Sequence, residues 1–344
     1  MQKALVITAP GSRDVVERPI PTVPDDCLLV KTASVALNPT DWKSADRKPP
    51  GQVIGNDYSG VVEEVGKGVK KAFRKGDRVC GWVQGCNSNN PESGAFAEYC
   101  IPKADLQIAI PDRLSFEEAS TLGLGTITVG QGLYQSLKLA PPDAPLAQPE
   151  LILIYGGSTA TGTLAIQYAK LSGYTVLTTC SAQNFDLVKS LGADAVFDYK
   201  DANAVQAIKK YAQDSLKLVF DTVAVESSAK FCGEVISSKG GDYSALLKVN
   251  VPRDDVRSLF TIGYTAFGED FDFGGGIIPA KPEDREFAGQ FMSKAAIFLA
   301  EGKVKPHPVK LGPRGLQGVL EGLQDMKDGK VSGQKLVYNV ADTP

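Results

Sequence analysis

The sequence predicts an α/β fold in which a doubly wound parallel sheet is joined to a second, β-rich domain. From Leu151 onward, short apolar runs alternate with amphipathic helical segments, the pattern of βαβ units. The first of these runs ends in Gly156-Gly157 and leads directly into a helix. Ahead of it, residues 1–110 hold short β-prone runs separated by Gly, Pro and Asp turns, as antiparallel structure requires. At about 150 residues per domain, a chain of 344 residues accommodates both.

Taken in order, the N-terminal runs are Leu28 to Ser34, Gly60 to Val65, Arg78 to Trp82 and Phe96 to Ile101, with no long helix expected among them. Leu139–Glu150 holds four prolines and reads as a surface connection into the α/β domain. Six strands follow, at Leu151–Tyr155, Thr175–Thr179, Ala195–Tyr199, Lys217–Val223, Tyr243–Leu247 and Leu259–Tyr264, the number a dinucleotide-binding sheet uses. The helices between them are Thr161–Leu171, Phe185–Leu191, Ala204–Ala212 and Glu226–Ser237. Phe267–Pro282 combines Gly274–Gly276 with aromatic residues and reads either as a mobile binding loop, with Phe271 as its pocket residue, or as a plain surface excursion. Leu316, Val319, Leu320 and Leu323 recur at helical spacing, and Lys335–Val340 alternates like a strand, so this pair is expected to return to the N-terminal domain.

Composition narrows the function. Hydrophobic residues at 43% and charged residues at 22% indicate a folded, soluble protein. Lys and Arg number 37 against 40 Asp and Glu, a net charge of -3 that supplies no field for nucleic acid or an anionic membrane. No apolar run approaches the roughly 20 residues a membrane span needs, and the N-terminus lacks a signal-peptide core, so a cytoplasmic location is the default expectation. The six cysteines (Cys27, Cys80, Cys86, Cys100, Cys180, Cys232) form no CxxC pair and read as reduced thiols. His307 is the only histidine, which leaves no metal site or catalytic scheme that needs two.

The chemistry centres on LILIYGGSTATGTLAIQYAKLSG. A strand running through Gly156 and Gly157 into a helix aims backbone N–H groups and the helix dipole at an anion such as a pyrophosphate. Where a dinucleotide fingerprint has its middle glycine, this turn carries Ser158, Thr159 and Ala160, ahead of Thr161, and the Ser158 and Thr159 hydroxyls can donate to phosphate. Many α/β crossovers place glycine here, so the turn alone leaves dinucleotide binding open. It also resembles a degenerate nucleophile elbow at Ser158, with His307 following in the order a hydrolase triad needs. Thr159 is bulkier than such an elbow accepts, and His307, between Pro306 and Pro308, reads as a solvated loop residue.

An NAD-specific fold ends its second strand with an acid for the ribose 2′-hydroxyl. Here the chain reads Thr178-Thr179-Cys180-Ser181-Ala182-Gln183-Asn184, and no carboxylate comes before Asp186. Ser181 and Asn184 can instead hydrogen-bond a 2′-phosphate, which favours NADPH, with Lys189 and Tyr199 as further contacts.

Asn38-Pro39-Thr40-Asp41, Gly55-Asn56-Asp57-Tyr58-Ser59-Gly60, Gly76-Asp77-Arg78-Val79, Gly94-Ala95-Phe96-Ala97-Glu98-Tyr99 and Gly329-Lys330-Val331-Ser332-Gly333, in this order, resemble the medium-chain dehydrogenase/reductase superfamily on its zinc-independent, quinone-reductase-like side. Zinc-dependent relatives carry a cysteine at or beside Pro39 and a histidine at Asn56, and neither is present here. Tyr155 to Thr161 and Thr179 to Asp186 are further similar to the stand-alone, trans-acting enoyl reductases of fungal polyketide pathways. The resemblance implies a GroES-like catalytic domain (1–124 and 268–344), a Rossmann NADPH-binding domain (125–267) and no metal. It also implies an active site in the cleft between the domains and an α,β-unsaturated thioester substrate on an acyl carrier protein.

On that reading hydride goes to the β-carbon and a proton to the α-carbon. Lys43, the titratable group nearest the Asn38–Asp41 marker, is the expected catalytic residue. Asn38, Asn56, Tyr58 and Phe271 are expected in the substrate pocket, Thr126 and Thr128 near the nicotinamide, and Val223 in the Asp221–Val223 strand end against the cofactor. Lys70, Lys71, Arg74 and Lys75 are the densest basic cluster, either a docking patch for an acidic carrier protein or a solvated turn. Quinone or small-enone reduction, a serine hydrolase at Ser158 and a non-catalytic NADPH-binding partner are the alternatives.

Overall fold

The structure is a computed structural model of the full chain, in which residues 1–273 and 276–344 are described. Gly274 and Gly275 of the expected binding loop lie outside the described residues.

The chain opens with a hairpin, β1 (Gln2–Ala9) and β2 (Ser12–Arg18), that the reading above does not name. Then come β3 (Leu28–Ala36), α1 (Pro39–Ala45), β4 (Asp57–Val65), β5 (Arg78–Trp82), β6 (Tyr99–Cys100) and β7 (Gln107–Ala109). The run expected over Phe96–Ile101 contributes only the two residues of β6, because the Ala95 and Phe96 N–H groups donate to Gly55 and Ile54, and the Leu5 N–H to Phe96, in loop hydrogen bonds instead of extending a ladder. Ser115 and Glu118 form a capping box at α2 (Phe116–Ala119), and α3 (Gly123–Val129) continues through π-helical turns to Ser136. Leu139–Glu150 contains no helix or strand, as its prolines require.

The parallel part follows the expected alternation: β8 (Leu151–Tyr155), α4 (Ala160–Leu171), β9 (Thr175–Cys180), α5 (Phe185–Ser190), β10 (Ala195–Asp198), α6 (Ala204–Ala212), β11 (Leu218–Asp221), α7 (Glu226–Val235), β12 (Gly241–Ala245) and β13 (Val256–Phe260). β12 and β13 begin two and three residues earlier than their apolar runs suggest, because Gly241 and Val256 start a parallel register with each other. Tyr264, expected at the end of the last strand, stands in a 3₁₀ turn, Gly263–Phe267.

The chain then forms a small hairpin, β14 (Phe271–Asp272) with β15 (Ile277–Ile278). A 19-residue helix follows, α8 (Pro282–Ala300), which the reading above leaves unnamed although Ala288, Phe291, Met292, Ala295 and Leu299 form its buried stripe. β16 (Val309–Gly312), α9 (Gly315–Lys327) and β17 (Lys335–Asn339) complete the chain.

Two compact units result. The first comprises Met1–Leu124, Tyr264–Gly302 and Pro306–Pro344, the second Gly125–Gly263 with Lys303–Lys305. In the first, the sheet runs β16-β17-β3-β4-β5-β7 with β6 on β3, so α9 and β17 do return to the N-terminal strands. Its core gathers Leu28, Val30, Val62, Phe96, Leu316, Val319 and Leu336. In the second, the strand order β10-β9-β8-β11-β12-β13 is wholly parallel, the doubly wound order of dinucleotide-binding folds. Leu153, Leu177, Val219 and Tyr243 fill one face of it. Among the described residues no helix is long and apolar enough to cross a membrane.

Candidate functional site

In the second unit most of the expected cofactor residues follow the carboxyl ends of β8, β9, β10 and β11, whereas Lys189 lies in the last turn of α5 and Thr128 in α3. Gly156 adopts φ +79, and an added Cβ there would stand 2.7 Å from Thr222 Oγ1 and from a Val223 methyl. At Gly157 the neighbour is closer still: a Cβ would fall 2.0 Å from Thr178 Oγ1, which is buried and donates to the Ile154 carbonyl at 2.7 Å. Both glycines are therefore needed for the turn to pack down on β9. Thr179 holds it from below, its Oγ1 accepting from the Gly156 N–H at 3.1 Å and its carbonyl from the Gly157 N–H at 2.8 Å.

Thr159 caps α4, its Oγ1 accepting from the Gly162 N–H at 2.9 Å and sharing a 2.9 Å hydrogen bond with Thr222 Oγ1. The Thr159 hydroxyl is thus already engaged. The N–H groups of Ser158, Ala160 and Thr161, at the mouth of a 12-residue helix, have no acceptor among the described residues. Backbone donors and helix dipole together make this turn fit a pyrophosphate.

At the end of β9, Ser181 Oγ lies 3.5 Å from the Tyr199 hydroxyl, and the Tyr199 ring sits 6.3 Å from that of Tyr155. Asn184 is buried in the turn between β9 and α5, whereas Lys189 is exposed on α5 with its ammonium 5.8 Å from the Phe185 ring centroid. The Val223 side chain is 40% exposed, and its N–H donates to Asp221 Oδ1 at 2.9 Å. Thr126 is buried and Thr128 half-buried in α3. No acidic side chain occurs between Cys180 and Asn184, so nothing on that stretch repels a 2′-phosphate.

The first unit holds the other expected site residues, and most of them form one buried polar network. Asn38 precedes α1, and its N–H donates to Asp41 Oδ2 at 2.6 Å. Asn56 Nδ2 donates to Asp41 Oδ1 at 2.6 Å, Asn38 Nδ2 to Asp57 Oδ2 at 2.9 Å, and the Leu124 N–H to Asp57 Oδ1 at 2.6 Å. Lys335 Nζ closes the network on Asp57 and on Asn38 Oδ1. Burial pushes the Asp41 carboxyl up to about 7, against the pull of the hydrogen bonds from Asn56 and Asn38. Sequence reading chose Asn38 and Asn56 but not Asp57 and Lys335, because partners so distant in the chain leave no local pattern. Asn56 Oδ1 has no hydrogen-bond partner among the described residues.

Tyr58 is wholly buried and its hydroxyl donates to Gln107 Oε1 at 2.8 Å. Lys43 is half-buried on α1, its ammonium 5.6 Å from the Trp42 ring centroid. One turn back on the same helix, Thr40 Oγ1 lies 2.8 Å from the hydroxyl of Tyr264, a residue the sequence reading does not single out. The Tyr264 ring belongs to an aromatic cluster with Trp82, Phe271 and Phe273 at centroid separations of 6.0, 5.7 and 6.2 Å.

His307 is not a solvated loop residue. It is 2% exposed, its N–H donates to Thr121 Oγ1 at 3.2 Å, and burial lowers its pKa to about 3. A histidine so reluctant to hold a proton is a poor general base, which removes the support for a triad with Ser158. Zinc finds no fit either. Among the described residues no three His, Cys, Asp or Glu side chains converge, and burial raises the pKa of all six thiols. The basic cluster is also smaller than its sequence suggests: Lys71 donates to the Asp105 and Gln107 carbonyls at 2.8 and 3.0 Å, and Lys75 pairs with Glu63 at 3.0 Å. Lys70 and Arg74 are exposed, and so is Lys75 despite its ion pair.

Comparison with known proteins matches residues 24–112 to the alcohol dehydrogenase GroES-like domain and residues 160–243 to the zinc-binding dehydrogenase family. The trans-enoyl reductase resD of Aspergillus sclerotiorum is 48% identical over 98% of this chain and 100% of its own length. The trans-enoyl reductase TOXD of Cochliobolus carbonum is 56% identical over 78% of this chain and 92% of its own. Among solved structures, the CurK enoyl reductase superposes with a TM-score of 0.77 at 19% identity, covering 98% of this chain and 99% of that one. The quinone oxidoreductase of Coxiella burnetii superposes with a TM-score of 0.74 at 23% identity and coverage of 98% and 99%. At such identities these two structures speak for the fold alone.

Proposed function

The chain belongs to the medium-chain dehydrogenase/reductase superfamily and, within it, to the trans-enoyl reductases; on that premise we propose that it uses NADPH to reduce the α,β double bond of an unsaturated polyketide thioester presented by an acyl carrier protein. The family implies a nicotinamide cofactor. The observation that carries the reading is the turn after β8, where two closely packed glycines and a capped helix leave three N–H groups without an acceptor among the described residues. The acid-free end of β9 supports NADPH over NADH.

When bound, the dihydronicotinamide supplies a hydride for the β-carbon. The chain's part is to hold the phosphates on Gly156 to Thr161, to meet the 2′-phosphate with Ser181, Asn184, Lys189 and Tyr199, and to flank the remainder with Thr128 and Val223. Negative charge then develops on the thioester oxygen, and Lys43 provides a cation for it. Asn38 and Phe271 shape the substrate pocket, Asn56 and Tyr58 act as its fully buried support rather than its lining, and Asp41 and Asp57 fix the amides of the two asparagines. No step is assigned to a metal, since among the described residues no three His, Cys, Asp or Glu side chains converge. The carrier protein would meet Lys70 and Arg74 by charge, an attraction that added salt weakens.

The reading is tested by supplying purified protein with NADPH and a 2-enoyl thioester, alongside quinone and small-enone controls. Cofactor oxidation by the thioester is expected, with turnover about 10²-fold lower in Lys43→Ala and NADPH binding intact. Oxidation by quinones alone would replace it with the quinone-reductase reading.

A further inference from the structure

We propose that Tyr264 is the catalytic proton donor to the α-carbon, resupplied through the hydroxyls of Thr40 and Ser44. The inference rests on the enoyl reductase reading and adds to it the group that completes the reaction.

Three hydroxyls stand in line within the first unit. The Tyr264 hydroxyl lies 2.8 Å from Thr40 Oγ1, and Thr40 Oγ1 lies 3.4 Å from Ser44 Oγ, one helical turn further along α1. A chain of hydroxyls is suited to proton passage because each member both donates and accepts. Its ends differ in environment. Tyr264 is 9% exposed and walled by Trp82, Phe271 and Phe273, while Thr40 and Ser44 are half-buried. The Thr40 and Ser44 end is therefore the more solvent-accessible one, and the phenol end is the better shielded.

Placement on α1 ties the relay to Lys43. Residues 40, 43 and 44 fall at helical spacings of three and four, which put them on one face. The ammonium proposed to hold the enolate oxygen and the hydroxyl pair proposed to resupply the proton donor thus come from the same turn. Along the chain, Tyr264 follows β13 by only four residues.

The step balances. Hydride addition at the β-carbon leaves the thioester as an enolate carrying an extra electron pair. That pair takes the Tyr264 proton, so a C–H bond forms at the α-carbon as the phenolic O–H bond breaks. The phenolate then takes a proton from Thr40, which is restored from Ser44 and solvent. Burial raises the pKa of Tyr264 above its ordinary value, yet a thioester enolate is a far stronger base than any phenolate, so the transfer still runs downhill.

The test uses a 2-methyl-2-enoyl thioester, whose reduced α-carbon is a stereocentre that records which group delivered the proton. Wild-type protein is expected to give one configuration. Tyr264→Phe, which keeps the ring in its cluster, should lower turnover by about 10²-fold or more and give both configurations, because solvent then protonates either face. Thr40→Val should slow turnover by about tenfold, less than the roughly 10²-fold or more lost with the donor itself, with a single configuration retained. A Tyr264→Phe protein of normal rate, or one still giving a single configuration, overturns the assignment of Tyr264, and a Thr40→Val protein of normal rate overturns the relay. If wild-type protein oxidises no NADPH with any enoyl thioester, the enoyl reductase reading itself fails instead.

Discussion

Lys335 Nζ lies 2.5 Å from Asp57 Oδ2, with side chains 3% and 0% exposed, so the last strand of the chain and β4 are joined by a fully buried ion pair. Asp57 is further satisfied by Asn38 and by the Leu124 N–H, and its partners therefore include the residue that opens α1. The pair's chief importance is what would follow from breaking it. Lys335→Met would leave a buried carboxylate without its counter-ion and should cost about 3–5 kcal/mol of stability. Adding Asp57→Asn should recover part of that loss. Denaturant midpoints of the single and double variants check this, and a single variant of unchanged midpoint would contradict it.

Asp41 should make the protein less stable as pH rises. Its carboxyl holds a proton up to about 7 in the folded chain, against a value of 3.8 when unfolded. Between those values the native state binds more protons than the unfolded one, so stability falls as pH climbs from about 4 to about 7, by at most about 1.4 kcal/mol per pH unit from this group. Asp41→Asn titrates in neither state. It should weaken the network at every pH but flatten the profile, and an unaltered slope would show that Asp41 is not the titrating group.

Ser181→Asp should reverse the cofactor preference. A carboxylate beside Tyr199 would repel a 2′-phosphate and accept from a ribose hydroxyl, a difference of about 1–3 kcal/mol or roughly tenfold to a hundredfold in relative affinity. Titration of both cofactors against wild type and variant measures it directly. Equal wild-type affinities would contradict the reading of this loop.

Gly157→Ala should weaken NADPH binding by about tenfold or more, from overpacking of about 1–3 kcal/mol. The new methyl would overlap Thr178 Oγ1, which cannot move aside because it is buried and bonded to Ile154. Wild-type affinity in this variant would mean the turn does not need close backbone approach to β9.

The alternation of β8 to β13 with their helices was legible in the sequence because each strand is a short apolar run flanked by its own turn, and the β8 turn was legible for the same local reason. The strand ends were less so. Leu259 to Tyr264 is apolar enough to read as a strand, yet the parallel register starts at Val256 and Gly263 opens a turn, which moved Tyr264 out of the sheet and hid its meeting with Thr40. His307 misled for a related reason. Flanking prolines and lysines describe a surface sequence, whereas its backbone is drawn inward by Thr121, far away in the chain. The marker around Asn38 and Asn56 holds two members of one buried network, but their link to Asp57 and Lys335 is made only through tertiary pairing that no period reveals.

The central claim is conjugate reduction, and isotope placement tests it most directly. With NADPH carrying deuterium at the transferred position and a 2-enoyl thioester in ordinary water, deuterium should appear at the β-carbon; with ordinary NADPH in heavy water, it should appear at the α-carbon. An untouched thioester, while the same protein reduces a ketone or a quinone with NADPH, would contradict the account.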